Sequence, residues 1–274
     1  MNHRITELLQ KRGVALISAV PLKSCRILRP YKLEKCGFDL QSDLTAYMLA
    51  VPYLAKHQGG NLSSYAVPRD YHGYFDALFA EVIPILQSEF GNYRFAGFAD
   101  NSPIAECDAA AKAGLGILGD NGLLITEKYS SFVFLGEIIT DLPCPEAKAL
   151  PIKGCEGCGA CKRACPAKEL GCLSALTQKK GELSDAEIAA IKEGGKAWGC
   201  DRCQEVCPHT KRAFERGTIY TDVDYFKESL ITRLTPEILQ KMSDGDFALR
   251  AYSWRGRGTV LRNLRFFEDD NNLN

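Results

Sequence analysis

Cys155, Cys158, Cys161 and Cys165 fall within GCEGCGACKRACP (154–166), and Pro166 follows the last of them. In the spacing C-x2-C-x2-C-x3-C-P, three neighbouring thiolates ligate one 4Fe–4S cluster while the fourth reaches a second. Such a run demands a partner. GCDRCQEVCP supplies Cys200, Cys203 and Cys207 ahead of Pro208, and Cys172 in GCLSAL completes the set. The crossing rule then gives one cluster Cys155, Cys158, Cys161 and Cys207, and the other Cys165, Cys172, Cys200 and Cys203. Cys172 is placed by completing the set rather than by its spacing. Each proline lacks an amide to donate and ends the ligand turn, while Gly157 and Gly159 let the chain close around a cluster. Two zinc sites are the competing use of C-x2-C; the x3-C-P ending and the recurrence of the motif favour clusters. Cys25, Cys36, Cys107 and Cys144 have no such spacing and read as buried small apolar residues.

Two clusters on one small module make an electron relay, and a relay needs a destination. Some 150 residues precede the module and about 65 follow it, so the redox centre is expected in the N-terminal part. There, MNHRITELLQKRGVALISAV reads as a helix, a stop at Gly13 and a strand. Residues 44–54 read as a buried strand broken by Pro52. A helix follows with Tyr71, Phe75, Leu78, Phe79, Val82, Ile83 and Leu86 on its apolar face, and Pro84 is expected to kink or break it. YRFAGFA (93–99) is a strand. Asp100-Asn101-Ser102-Pro103 supplies helix-start chemistry, with Ser102 or Asn101 as the cap and Pro103 in the first turn of a helix that reaches about Ala113 and stops at Gly114.

The glycine-rich GLGILGDNGLLI (114–125) enters a strand, and SFVFLGEIIT (131–140) returns antiparallel across the EKYS turn. Gly114, Gly116 and Gly119 can be written as G-x-G-x-x-G, but a dinucleotide fingerprint follows a strand and opens a helix, and this one does the reverse. The same glycines let a planar or phosphate-bearing ligand approach backbone amides. DYHGYF begins like a cobalt-ligating D-x-H-x-x-G motif, but Phe75 stands where the glycine belongs, so His72 reads as a polar residue on a helix flank.

The expected fold class is α/β (α+β). A mixed-sheet domain spans 1–145, a double-cluster, bacterial-ferredoxin-like domain 146–225 and a short helical extension 226–274. Lys+Arg and Asp+Glu both number 34, so a nucleic-acid or anionic partner must be met by a local patch. The local patch is the C-terminal strip with Arg250, Arg255, Arg257, Arg262 and Arg265 among Tyr252, Trp254 and Phe266: either an RNA-contacting surface or a helix packed on the cluster domain with its arginines in solvent. EDDNNLN at the end reads as a disordered polar tail. With no cleavable signal and no apolar run of about 18 residues, the protein is expected to be cytoplasmic, with no membrane partner.

SSYAVPRDYHGYFDAL, FADNSPIAE, KAGLGILGDNGLLITEKYSSFVFLGEIITDLP, the two cysteine motifs and WRGRGTVLRNLRF resemble, in order, the successive blocks of the epoxyqueuosine reductases, from about residue 44 to 266. The resemblance implies a nitroreductase-like N-terminal domain holding base-off cobalamin, fed by two 4Fe–4S clusters and a low-potential electron donor. It further implies removal of the epoxide oxygen of epoxyqueuosine in a tRNA anticodon loop, to give queuosine. It makes Asp100 the proton donor, whose carboxyl would need a raised pKa to stay protonated near neutral pH, and carries Arg69, His72, Gly119, Asn121 and Ser131 over as cobalamin contacts. Taken without the resemblance, Asp100 is a cap or turn residue and Arg69 a surface ion-pair partner.

The chain departs from the family in Val67-Pro68 before Arg69 and in Asp120 and Gly122, where the family usually has G-K-N-T. Longer members continue past the LRNLRF block into a helical-repeat domain that helps to hold tRNA. Two alternatives stay open: a corrinoid reductase of a different substrate, and a corrinoid-free electron-transfer protein.

Overall fold

The computed structural model describes residues 3–268; the tail expected to be disordered lies almost wholly outside them. The chain forms two compact units, one of residues 1–52, 72–158 and 213–222 and the other of 53–71, 159–212 and 223–274. Their limits do not coincide with the boundaries 145/146 and 225/226 expected around the cysteine module.

The first unit is built on a four-stranded sheet in the order β1-β2-β6-β3, with β1 Leu16–Pro21, β2 Thr45–Pro52, β3 Phe95–Phe98 and β6 Val133–Thr140. The expected mixed sheet is an antiparallel ladder throughout; among the described residues, parallel pairing in this unit is a single bridge between Leu118 and Gly154. Helix α1 (His3–Gln10) buries Ile5, Leu8 and Leu9, and α2 (Pro30–Lys35) buries Leu33. All eight residues of β2 are buried, as a central strand covered on both faces requires.

On one face lies α3 (Tyr71–Glu89). A Cβ at Gly136 of β6 would meet the Phe75 ring at 2.5 Å and one at Gly97 of β3 the Phe79 ring at 2.3 Å, so these glycines are where the rings seat on the sheet. Pro84 neither ends nor breaks α3, which runs on to Glu89. The other face carries Val20, Ala46, Met48, Ala96 and Ile139 against Leu33 and Ala109, Ala110 and Ala111 of α4 (Glu106–Lys112).

Two expectations are corrected here. Helix α4 begins at Glu106 with Ala105 as its cap residue, three residues later than the Asn-Ser-Pro start implies, because the Ser102 hydroxyl is engaged elsewhere. The glycine-rich segment forms its own hairpin, β4 (Ile117–Leu118) with β5 (Leu124–Ile125). The turn at 126–130 closes with one bridge, Thr126 to Ser130, and β6 pairs with β2 and β3.

The second unit is helical: α5 (Ala160–Arg163), α6 (Leu173–Gln178), α7 (Asp185–Gly194), α8 (Arg202–Glu205), α9 (Pro208–Glu215, which carries the chain back to the first unit), α10 (Pro236–Lys241), α11 (Asp244–Ala248) and α12 (Arg257–Arg265). Helix α7 starts with a capping box between Ser184 and Glu187 and ends at Gly195 in the left-handed region, a full set of terminal signals. One core gathers Leu62, Val67, Trp198, Leu239, Tyr252, Val260 and Leu264; a second joins Ala167, Leu173, Leu176 and Ile191. No helix among the described residues is long and apolar enough to cross a membrane.

Candidate active site and cluster ligands

Asp100 follows β3 on a backbone turned to φ 60°. The Asn101 N–H returns to Ala99 O at 2.7 Å, an i to i+2 bond across a residue of positive φ, which is the rare and strained form of γ-turn. Strain of this kind costs about 1–3 kcal/mol and is held here by four contacts. Arg29 Nη1 donates to Ser102 O at 2.7 Å, Lys32 Nζ donates to Asn101 O, Asp100 N donates to Glu106 Oε1 at 3.2 Å, and Ser102 Oγ donates to Glu137 Oε1. The same Ser102 oxygen accepts from Ile104 N at 3.0 Å, which is why it is not the cap of α4.

The turn lifts the Asp100 side chain into solvent, 62% exposed, with Oδ2 3.5 Å from His72 Nε2 at the start of α3. His72 is half-exposed, so a flank residue on sequence is in space the partner of the carboxyl. Behind the turn, Glu137 sits mid-strand on β6, opposite Met48 and Phe98. Strand alternation aims it at α4, and it is fully buried. Burial pushes its carboxyl well above the usual range, and Glu106 adds to the shift. Burial likewise pushes Glu106 up to about 7, with the charge of Asp100 contributing. Neither glutamate had been singled out in the sequence; the signal was a charged residue at an inward position of an apolar strand.

The glycine-rich hairpin is tied to the first cysteine. Cys155 N donates to Leu118 O at 2.9 Å, Leu118 N to Lys153 O at 2.8 Å, and Asp120 N to Cys155 Sγ at 3.4 Å. An amide aimed at a cluster thiolate is one of the means by which a protein sets cluster potential. Because the backbone makes that contact, the acidic side chain of Asp120 does not forfeit it. Gly119 is buried, and the space of its absent Cβ is filled by Asn121 Oδ1 at 2.4 Å, which itself accepts from Leu123 N at 3.3 Å. Gly119 and the Asn121 carbonyl therefore serve the turn first. Ser131 is buried. Arg69 belongs to the second unit and donates to Ser229 Oγ at 3.3 Å.

None of the twelve cysteines, all of them among the described residues, is in a disulfide. Cys155 and Cys158 belong to the first unit and the other six expected ligands to the second. Within the second, α5 packs on α8, so the helices carrying Cys161 and Cys203 are neighbours. The Cys200 thiol is pushed up by burial and then by Asp201, Cys172 and Cys165; two of the other three thiols expected around its cluster thus act on it. Among the described residues no group of three His, Cys, Asp or Glu is disposed for a single metal ion. Free thiols spaced for a cube, on turns with left-handed Gly157 and Gly159 and an amide donor at Cys155, fit a cluster. Of the remaining cysteines, Cys25 packs against the core of the first unit, Cys107 and Cys144 are partly buried, and Cys36 is exposed, which corrects its reading as a buried residue.

Sequence reasoning missed what holds the second motif. Asp201 is buried and accepts from Ser63 Oγ (3.0 Å), Ser64 N (2.7 Å) and Ser64 Oγ (3.1 Å). A Cβ on Gly199, at φ 71°, would sit 2.5 Å from the Ser63 Cβ. Asn263 of α12, fully buried, donates to Thr177 O at 2.7 Å and Ala197 O at 2.9 Å. In the arginine strip, Arg250 donates to Ser229 O, Arg257 to Leu239 O and Met242 O, and Arg262 to Lys179 O and Gly181 O. Arg255 lies 3.8 Å over the Trp254 ring, which is 58% exposed.

No protein-family model matches the chain. Over 224 residues it is 30% identical to an epoxyqueuosine reductase of Lactococcus garvieae, covering 78% of this chain. The chain belongs to the epoxyqueuosine reductase family. Another family member, from Pseudomonas aeruginosa, is 34% identical over 173 residues, 60% of this chain. The chain spans 62% of the first relative's length and 48% of the second's. A solved epoxyqueuosine reductase with a tRNA-Tyr epoxyqueuosine-modified tRNA stem loop matches 96% of this chain and 79% of its own with a TM-score of 0.73. At 24% identity that likeness speaks to the fold.

Proposed function

We propose that this member of the epoxyqueuosine reductase family reduces epoxyqueuosine to queuosine in the anticodon loop of tRNA. Cys155, Cys158, Cys161 and Cys207 hold one 4Fe–4S cluster and Cys165, Cys172, Cys200 and Cys203 the other. Base-off cobalamin is held by the domain that carries His72, Gly119, Asn121 and Ser131, with Arg69 as a further contact. When bound, these groups supply low-potential electrons, delivered singly, at a strongly reducing metal. Removing the epoxide oxygen as water takes two electrons and two protons. Asp100 gives a proton to the oxygen as its bond to carbon breaks, which makes it a better leaving group.

His72, 3.5 Å from the Asp100 carboxylate, orients it and holds a proton in turn. The observation that carries the reading is Asp100 itself: a carboxyl on a strained, four-fold-tied turn beside a histidine is over-determined for a surface residue.

The test is anaerobic incubation of the cluster-reconstituted, cobalamin-loaded protein with an epoxyqueuosine-modified tRNA stem loop and a low-potential reductant. Queuosine in the digested nucleosides supports the proposal; none, with all cofactors bound, overturns it for the tRNA substrate. A second reading, the same chemistry on another substrate, is favoured by the internal use of Arg250, Arg257 and Arg262 and by the absence of net charge.

A further inference from the structure

Glu137 Oε1 accepts from Ser102, while its Oε2 is buried and has no hydrogen-bond donor among the described residues. The neighbour acting on it most strongly after burial is the carboxyl of Glu106, whose Oε1 accepts the Asp100 amide. Met48 and Phe98 flank Glu137 across the sheet and Ile139 lies two residues on along the same face, and into this apolar setting the Glu106 carboxyl brings a second acceptor that acts on Glu137 by its charge and as a hydrogen-bonding neighbour. Two carboxylates so placed cannot both ionise cheaply, and one proton between them supplies the missing donor.

We propose that Glu106 and Glu137 share one proton and in that state anchor the Asp100 turn, which makes them positioning residues for the proton donor. Glu106 carries the turn by the Asp100 amide, Glu137 by the Ser102 hydroxyl, and the shared proton holds the two carboxyls together. Losing it sets two negative charges against each other behind the turn and drives the two carboxyls apart, even though each tie taken alone is stronger to a carboxylate. The groups that face the pair are Asp100 from the turn, Arg29 and Lys32 from the α2 region, Cys107 beside Glu106, and Cys25, whose thiol feels both Glu137 and Lys112. The Asp100 charge opposes ionisation of Glu106 and the two cations favour ionisation of the pair. The proton of the pair and the state of the donor are thereby linked.

This rests on the reading of Asp100 as the proton donor, so the first readout is independent of turnover. Infrared spectra of the protein with carbon-13-labelled glutamate are recorded from about pH 5.5 to about pH 8.5, on the wild type, Glu106→Gln and Glu137→Gln. The expected result is a protonated glutamate carboxyl that persists at neutral pH in the wild type, held by Glu137, whose carboxyl is pushed well above the usual range, whereas in Glu137→Gln the carboxyl that remains is lost as the pH rises through about 7. A wild type with no protonated glutamate carboxyl at about pH 6 overturns the shared proton, whether or not either variant folds. The second readout is the pH profile of turnover. Glu106→Gln keeps an oxygen for the Asp100 amide and gains a donor for Glu137, so the basic limb of the wild-type profile should vanish; an unchanged limb beside a present carboxyl band overturns the anchoring role. A band with no turnover at any pH would contradict the functional reading and leave the pair standing.

Discussion

Asp100 is an exposed carboxyl on a backbone that side chains other than glycine rarely adopt. Its φ of 60° and the Ala99–Asn101 bond are invisible in FADNSP, where the same residues read equally well as a helix cap; only the family likeness pointed to a proton donor. The cysteines were legible for the opposite reason, because ligand spacing is a local property of the chain. Cys172 sits between these cases: it has no motif of its own, yet its charge acts on Cys200. Cys172→Ala is expected to lose one cluster, halving the iron bound per chain, with the signal of the other cluster kept. Full iron loading in that variant, measured by iron analysis and electron paramagnetic resonance, would contradict the ligand assignment.

Between residues and the whole lie the turn after β3, helix α4 and strand β6, which together make the acid box. Strand β6 and the strand at 93–99 were readable from alternation, and so was the buried run of β2. The start of α4 was not, because Ser102 is drawn away from the helix by a glutamate 35 residues further on, a contact no local pattern records. The partner of β6 was hidden similarly: the EKYS turn suggests a hairpin, but the buried faces of β2 and β3 outbid a short neighbour.

The acid box also has a cost. Because folding raises the Glu106 carboxyl from about 4.5 to about 7, the folded state binds its proton more tightly than the unfolded state. The stabilisation is present in full below about pH 4.5 and is lost as the pH rises through about 7, on the order of 3 kcal/mol. Chemical denaturation from about pH 5 to about pH 8 should show this decline in the wild type and most of it removed in Glu106→Gln; a flat wild-type profile would contradict the burial of Glu106.

Over the whole molecule the charges balance, so binding of a nucleic acid rests on where particular cations are free to act. Arg250, Arg257 and Arg262 are committed to backbone carbonyls, and Asn263 to the segment before Cys200, so much of the closing WRGRGTVLRNLRF block is internal scaffolding. The stacked Arg255 and exposed Trp254 are of another kind. Trp254→Ala should change stability by less than about 0.5 kcal/mol while weakening binding of the tRNA stem loop by about 1–3 kcal/mol. Asn263→Ala should destabilise by about 1–3 kcal/mol, leaving two buried carbonyls without donors. The opposite pattern, read by denaturation and stem-loop titration, would assign the strip's roles the other way round.

The most direct measurement is a single turnover of the epoxyqueuosine-modified stem loop by matched, cobalamin-loaded wild-type and Asp100→Asn protein. The prediction is equal cofactor content and cobalt resonance in both, with queuosine formed by the wild type and at least about a hundredfold more slowly by the variant. Equal rates in the two proteins would remove Asp100 from the chemistry and contradict the account at its centre.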